Sequence, residues 1–232
     1  MLQVKSLTLL SCLLLLALLA ACTEANKAAT TTVCPPDGDN DDYPDRFDND
    51  TLCDSFKRLR STIEKDTLVE LIQSHYQCNS KFRKAMCYYD TKRFRIVAQQ
   101  LQQSDAYVDI LLELNLAGVD TSDIENIVDI FACIVLPVPR PDNSCDCRAL
   151  RGHTFIGDLL AAMPQQAVHE INTRAKRNNF ARFVQTVNSS EFQAHLQANL
   201  LKRDAARPLH VLSRNGWNVP ELLRAVMTIL SW

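Results

Sequence analysis

Apolar residues recur at spacings of three and four through most of the chain, the period of an amphipathic helix. Phe56, Leu59 and Ile63 share one helical face, and Leu68, Leu71, Ile72 and Tyr76 share the next. A short helix with Phe82, Ala85, Met86 and Tyr89 follows. Asp90 is placed to cap a helix carrying Phe94, Val97, Ala98 and Leu101. Val108, Leu111, Leu112 and Leu114 then run to Gly118, and Ile124, Ile127, Val128 and Phe131 close the series. Leu136-Pro-Val-Pro-Arg-Pro141 cannot continue a helix and reads as an extended connection. Beyond it Phe155, Ile156, Leu159 and Leu160 predict a helix, Pro164 opens another with Val168 and Ile171, and Phe180, Phe183 and Val184 mark a third. Asn188 is expected to cap Phe192, His195, Leu196 and Leu200; Pro208 to Leu212 run to Gly216, and Leu222 to Leu230 end the chain.

The second series repeats the first. Leu111, Leu114, Gly118, Asp120, Asp123 and Val128 fall 98 residues before Leu209, Leu212, Gly216, Asn218, Glu221 and Val226. Each stretch reads as a helix stopped by a glycine in a left-handed conformation, then a cap with an acidic capping-box partner, then an apolar helix. Phe82 falls on Phe180 and Phe94 on Phe192 at the same offset, whereas Val69 and Ile72 need one more residue to reach Val168 and Ile171. A tandem duplication therefore organises the chain. The expected layout is a leader over 1–25, a lead-in over 26–53, one helical repeat over 54–136, a Pro/Cys linker over 137–147 and a second repeat over 148–232, with five or six helices per repeat.

Composition agrees with an all-α chain: 232 residues contain only five glycines. Lys5, the apolar run Leu9 to Leu19 and the small residues Ala20, Ala21 and Ala25 form a secretory signal peptide, too short to span a membrane. Leu19-Ala-Ala-Cys22 also fits a bacterial lipoprotein signal. Beyond the leader stand Cys34, Cys53, Cys78, Cys87, Cys133, Cys145 and Cys147, disulfide candidates in an oxidising compartment. Locality suggests Cys34 with Cys53, Cys78 with Cys87, and Cys133 with Cys145 or Cys147; the odd count leaves one thiol over, unless Cys22 is retained. The lead-in carries Asp37, Asp39, Asp41, Asp42, Asp45, Asp48 and Asp50. It lacks the glycine and terminal glutamate of a calcium loop and reads as a solvated linker. Asn49 and Asn188 head glycosylation sequons, although a capping role suffices to explain Asn188.

A net charge of −2 gives no pull toward nucleic acid or an anionic membrane. No catalytic constellation emerges. His169-Glu170 begins like a zinc-protease helix, but Thr173 stands where the second histidine belongs. His75, His153, His169, His195 and His210 are scattered, and none has a histidine in the other repeat. There is no nucleophile elbow, no phosphate loop and no paired ligand set for zinc around Cys145-x-Cys147. The expectation is a protein that is not an enzyme and holds neither cofactor nor metal.

From residue 54 to 232 the chain resembles the insect allergen-related repeat family, which includes cockroach midgut allergens, mosquito midgut proteins and butterfly nitrile-specifier proteins. The features that carry the resemblance are Asn188-x-x-Glu191-Phe192, Pro208-Leu209 to Leu212, and Gly216-Trp217-Asn218 followed by Leu222-Leu223. It implies an all-α fold whose two tandem copies form one shell around a large apolar cavity holding fatty acids or phospholipid. The acidic lead-in and the extra cysteines depart from the family pattern. Under that reading the cavity would be lined by apolar positions filled in both copies: Phe82, Phe94, Leu111, Leu114 and Val128, with Phe180, Phe192, Leu209, Leu212 and Val226. The expected role is a secreted lipid carrier of the insect gut lumen or microvillar surface. The alternatives are a membrane-active protein that delivers lipid to, or disrupts, bilayers through transient membrane contact, a detoxifying specifier protein, and a densely packed structural protein.

Overall fold

A computed structural model describes residues 51–127, 146–174 and 178–232. Among these residues the secondary structure is helical throughout. The first series is α1 (Leu52–Ser61), α2 (Lys65–Cys78), α3 (Ser80–Tyr89), α4 (Lys92–Gln102) and α5 (Asp105–Leu116), followed by a 3-10 turn at Ser122–Ile124. The second is α6 (Phe155–Ala162), α7 (Gln165–Arg174), α8 (Asn179–Asn188), α9 (Ser190–Leu200), α10 (Arg203–Arg214) and α11 (Val219–Ser231).

Side-chain caps set most helix starts, because the first turn leaves backbone N–H groups without partners. Thr51, Ser104, Thr154 and Asn178 each accept from an N–H three residues on. The caps of α4 and α9 differ from expectation by one residue. Thr91 and Ser189, not Asp90 and Asn188, accept from the N–H groups of Phe94 (3.1 Å) and Phe192 (3.2 Å). Asn188 is left free to donate from its amide to the Leu230 carbonyl at 3.1 Å.

Both glycine corners form as the sequence predicts. Gly118 has φ +79° and Gly216 φ +93°. In each, the residue after the glycine donates back to the buried leucine of the preceding helix: Val119 to Leu114 at 3.0 Å and Trp217 to Leu212 at 3.1 Å. That is the six-to-one bond of a Schellman stop. The capping boxes do not form. Asp120 accepts from Ser122 N–H (3.0 Å), while Asp123 reaches away to accept from Cys53 N–H (2.8 Å) at the start of α1. The Asn218 amide donates to Glu221 at 3.0 Å instead of capping α11.

The helices recur at the repeat offset. α9 begins and ends 98 residues after α4, and α10 does the same after α5. Further upstream burial sets the alignment at 100, not 99: Leu59, Ile63 and Leu68 are buried as Leu159, Met163 and Val168 are, and Leu71 and Ile171 are both half-buried. The offset thus falls from 100 at the starts of α2 and α7 to 98 at the starts of α4 and α9.

Packing exchanges partners between the two series. α4 lies against α10 and α5 against α9. α1 packs on α7 and α8 of the second series, and α6 packs on α2 of the first. The reciprocal contact is carried by phenylalanines. Phe56 of α1 meets Phe180 of α8 with ring centroids 6.3 Å apart, and Phe155 of α6 meets Phe82 of α3 at 4.5 Å. Each series therefore lends its first helix to the other, and burying those rings contributes roughly 2–3 kcal/mol apiece.

Candidate functional site

The positions expected to face a ligand lie mostly in the interior. Phe82, Phe94, Leu114, Phe180, Phe192, Leu212 and Val226 are buried, and Leu111 and Leu209 are half-buried at the margin of the core. Val128 lies outside the described residues. Three of the four aromatic members, Phe94, Phe180 and Phe82, each join elements far apart in sequence. Phe94 touches Tyr88, Tyr89 and Trp217 at centroid distances of 5.8, 4.9 and 5.5 Å. Phe180 joins Phe183 and Phe56. Phe82 joins Phe155 and His75.

One polar cluster interrupts this interior, and sequence reading missed it. His75 Nε2 stands 2.8 Å from one oxygen of Asp158, and His153 Nδ1 stands 2.8 Å from the other. His75 is buried and its Nδ1 has no hydrogen-bond partner. The bond to a carboxylate requires a proton on Nε2, so in the neutral ring Nδ1 is a buried bare acceptor. Burial alone would push the Asp158 carboxyl up; the hydrogen bonds from His153 and His75 outweigh it and hold the group below the usual carboxylate range. The Asp158 oxygen that meets His75 lies 83 residues along the chain from it. No local spacing signals such a meeting.

The cysteines correct the local pairing. Cys78 is bonded to Cys147, not to Cys87, with Cα atoms 5.1 Å apart. Cys87 is a free, exposed thiol. Local pairing fails because Cys78 ends α2, where the segment entering α6 arrives, while Cys87 sits on the exposed side of α3. Closing a loop of 69 residues stabilises the fold by about 4 kcal/mol, chiefly through the unfolded chain. Cys53 is also disulfide-bonded. Cys34, Cys133 and Cys145 lie outside the described residues, as does the Asn49 sequon. The Asn188 amide already serves the last turn of α11, where Asn172 and His169 also meet the carbonyls of Ile229 and Trp232.

At the surface, an open groove of about 520 Å³ runs between the end of α5 and the junction of α8 with α9. Glu113, Leu116, Ala117, Arg182, Gln185, Thr186, Ser189 and Glu191 line it. Among the described residues no cluster of histidine, cysteine or acidic side chains has the makings of a metal site.

These features define an all-helical, disulfide-linked protein whose two series of helices are interlocked. The family model for the insect allergen related repeat, described with nitrile-specifier detoxification, matches residues 51–223. The chain belongs to this family. Comparison with curated proteins and with solved structures finds no match.

Proposed function

We propose that the protein is a secreted carrier of fatty acids or phospholipid, held between its two series of helices in an internal apolar cavity. The observation that carries this reading is the exchange of first helices within a chain of the insect allergen related repeat family. An interlocked pair of apolar faces is an arrangement suited to enclosing a ligand that neither face covers alone. The disulfide supports export to an oxidising compartment, in line with the leader-like N-terminus.

The energetics favour a filled interior over an empty one. A void of ~1,000 Å³ would cost on the order of 20 kcal/mol, more than the net stability of a typical fold. An acyl chain of ~15 methylenes contributes up to ~12 kcal/mol when buried. Lipid and fold would then be coupled. Organic extraction of purified protein followed by mass spectrometry tests the proposal. Stoichiometric lipid is the expected result; its absence from protein of full stability would remove the carrier reading.

A second reading, chemistry on a small gut compound, draws on the buried His75–Asp158 pair and its bare Nδ1. Binding of candidate compounds that is lost in Asp158→Asn would favour it over carriage.

A further inference from the structure

Five large apolar side chains on the described surface are more than half exposed: Ile96 (55%), Val108 (53%), Leu112 (55%), Leu116 (80%) and Leu201 (79%). The repeat supplies a control for each. At an offset of 98, Ile96, Val108, Leu112 and Leu116 fall on Ala194, Ala206, His210 and Arg214, and Leu201 falls on Gln103. All five twins are exposed as well. The fold does not need a large apolar side chain at any of these stations. Single exposed leucines are ordinary. Val108, Leu112 and Leu116, however, stand four apart on α5 and make one stripe about 12 Å long. Leu201 precedes Lys202, which holds Asp109 of α5.

The groove opens at the Leu116 end of this stripe. Arg182 in it has no ion-pair partner among the described residues. Its twin Lys84 is occupied, donating to the carbonyl of Arg214 at 2.7 Å. Glu191 also lines the groove, as does Glu113, which stands 3.1 Å from His195. One guanidinium and two carboxylates in a single groove match a dipolar ligand better than a singly charged one.

We infer that this face docks on a bilayer of zwitterionic phospholipid. Val108, Leu112 and Leu116 enter the boundary between headgroups and acyl chains. Arg182 meets the lipid phosphate, and Glu113 and Glu191 meet the quaternary ammonium of the same headgroup. Other occupants fit less well. α5 carries Asp105, Asp109 and Glu113 but no lysine or arginine, so pairing with a second copy would set carboxylates against carboxylates. A basic partner helix would set its charges against Arg182 in the groove. The contact is with the membrane surface, because no described helix is long and apolar enough to cross. The inference rests on the carrier reading for its purpose, since a lipid carrier must meet the surface that gives or takes its cargo.

Co-sedimentation of the full mature chain with phosphatidylcholine vesicles is the test, with phosphatidylglycerol vesicles alongside. Wild type is expected to bind and to prefer phosphatidylcholine. The double variant Leu112→Gln/Leu116→Gln should bind at least tenfold more weakly with unchanged helicity and thermal midpoint, because both residues are exposed. Arg182→Gln should lose several-fold on phosphatidylcholine, and the twin-helix control Ala206→Gln should lose nothing. Absence of wild-type binding, or equal binding by the double variant, overturns the inference. So does a concentration-dependent dimer that the double variant abolishes, which would assign the stripe to a second copy. Bound lipid measured in the same samples separates the two readings: lipid-free protein that still binds vesicles keeps the docking face and removes the carrier.

Discussion

The Gly118 and Gly216 corners have the same backbone and different interiors. Both stop a helix with a left-handed glycine and the same backward hydrogen bond. Behind Gly216 the next side chain is Trp217, buried against Tyr89 and Phe94, with its indole N–H on the Ala85 carbonyl at 3.0 Å. Behind Gly118 the next is Val119, and the bulky buried ring of this copy is Tyr107, which donates to the Ile124 carbonyl. Tyr107 has Ala205 as its twin. Large and small have changed places between the corners. A duplicated backbone keeps its caps and stops, while the two interiors diverge so long as total volume is filled. Divergence also reached the surface: the apolar stripe of Val108, Leu112 and Leu116 in the first copy is matched by Ala206, His210 and Arg214 at the same stations of the second.

The largest effect should come from separating the copies. α1 packs on α7 and α8, and α6 on α2, so a chain of residues 148–232 alone loses the helix that covers Phe180 and Phe183. It should show no cooperative unfolding by circular dichroism, and mixing it with residues 26–147 should restore one. An independently stable half would contradict the exchange.

Next, the corners should respond unequally to loss of their fillers. Trp217→Ala should cost about 3–5 kcal/mol in urea unfolding. Val119→Ala, which removes two methyl groups, should cost about 1.5–2 kcal/mol. Equal losses would mean that Trp217 does not fill the second corner.

The glycines sharpen the same contrast. Alanine at either position meets the left-handed penalty of about 1–2 kcal/mol. At Gly118 nothing else obstructs, since a Cβ would lie 3.8 Å from Arg182. At Gly216 it would lie 2.7 Å from the Lys81 carbonyl oxygen, which is backbone and cannot step aside. Gly216→Ala should therefore lose about 3 kcal/mol or more, and Gly118→Ala about half of that.

The smallest effect concerns pH. Asp158 lies below its unfolded value, so its contribution to stability is complete above about pH 4 and is lost as pH falls through its folded value. Between about pH 5 and 3, wild type should lose more stability than Asp158→Asn. Parallel curves would show that the two histidines do not hold the carboxylate.

Much of the fold was legible in the sequence because its determinants are local. Apolar spacing located the helices, and Gly118 and Gly216 announced the stops. What escaped was partner choice. Periodicity identifies the face that Phe56 and Phe155 bury, yet says nothing about which helix that face meets, so the exchange of α1 and α6 was invisible. Cys78 with Cys147 and His75 with Asp158 failed for the same reason, being contacts across 69 and 83 residues. The caps slipped by one residue because Asp90-Thr91 and Asn188-Ser189 each offer two capping side chains in succession. Of the ten residues expected to face a ligand, seven are buried, Leu111 and Leu209 are half-buried, and Val128 lies outside the described residues. Burial is encoded in residue type, but whether a buried face meets another side chain or a lipid is not.

Thermal unfolding of the same protein as purified, after delipidation, and after reloading with a long-chain fatty acid tests the carrier reading most directly. A ligand at 100 times its dissociation constant adds about 2.7 kcal/mol. At about 2–4 °C per kcal/mol for a chain of this size, the midpoint should fall by roughly 5–10 °C on delipidation and return on reloading. A midpoint that stays fixed through all three states, with no lipid recovered in the extract, would contradict it.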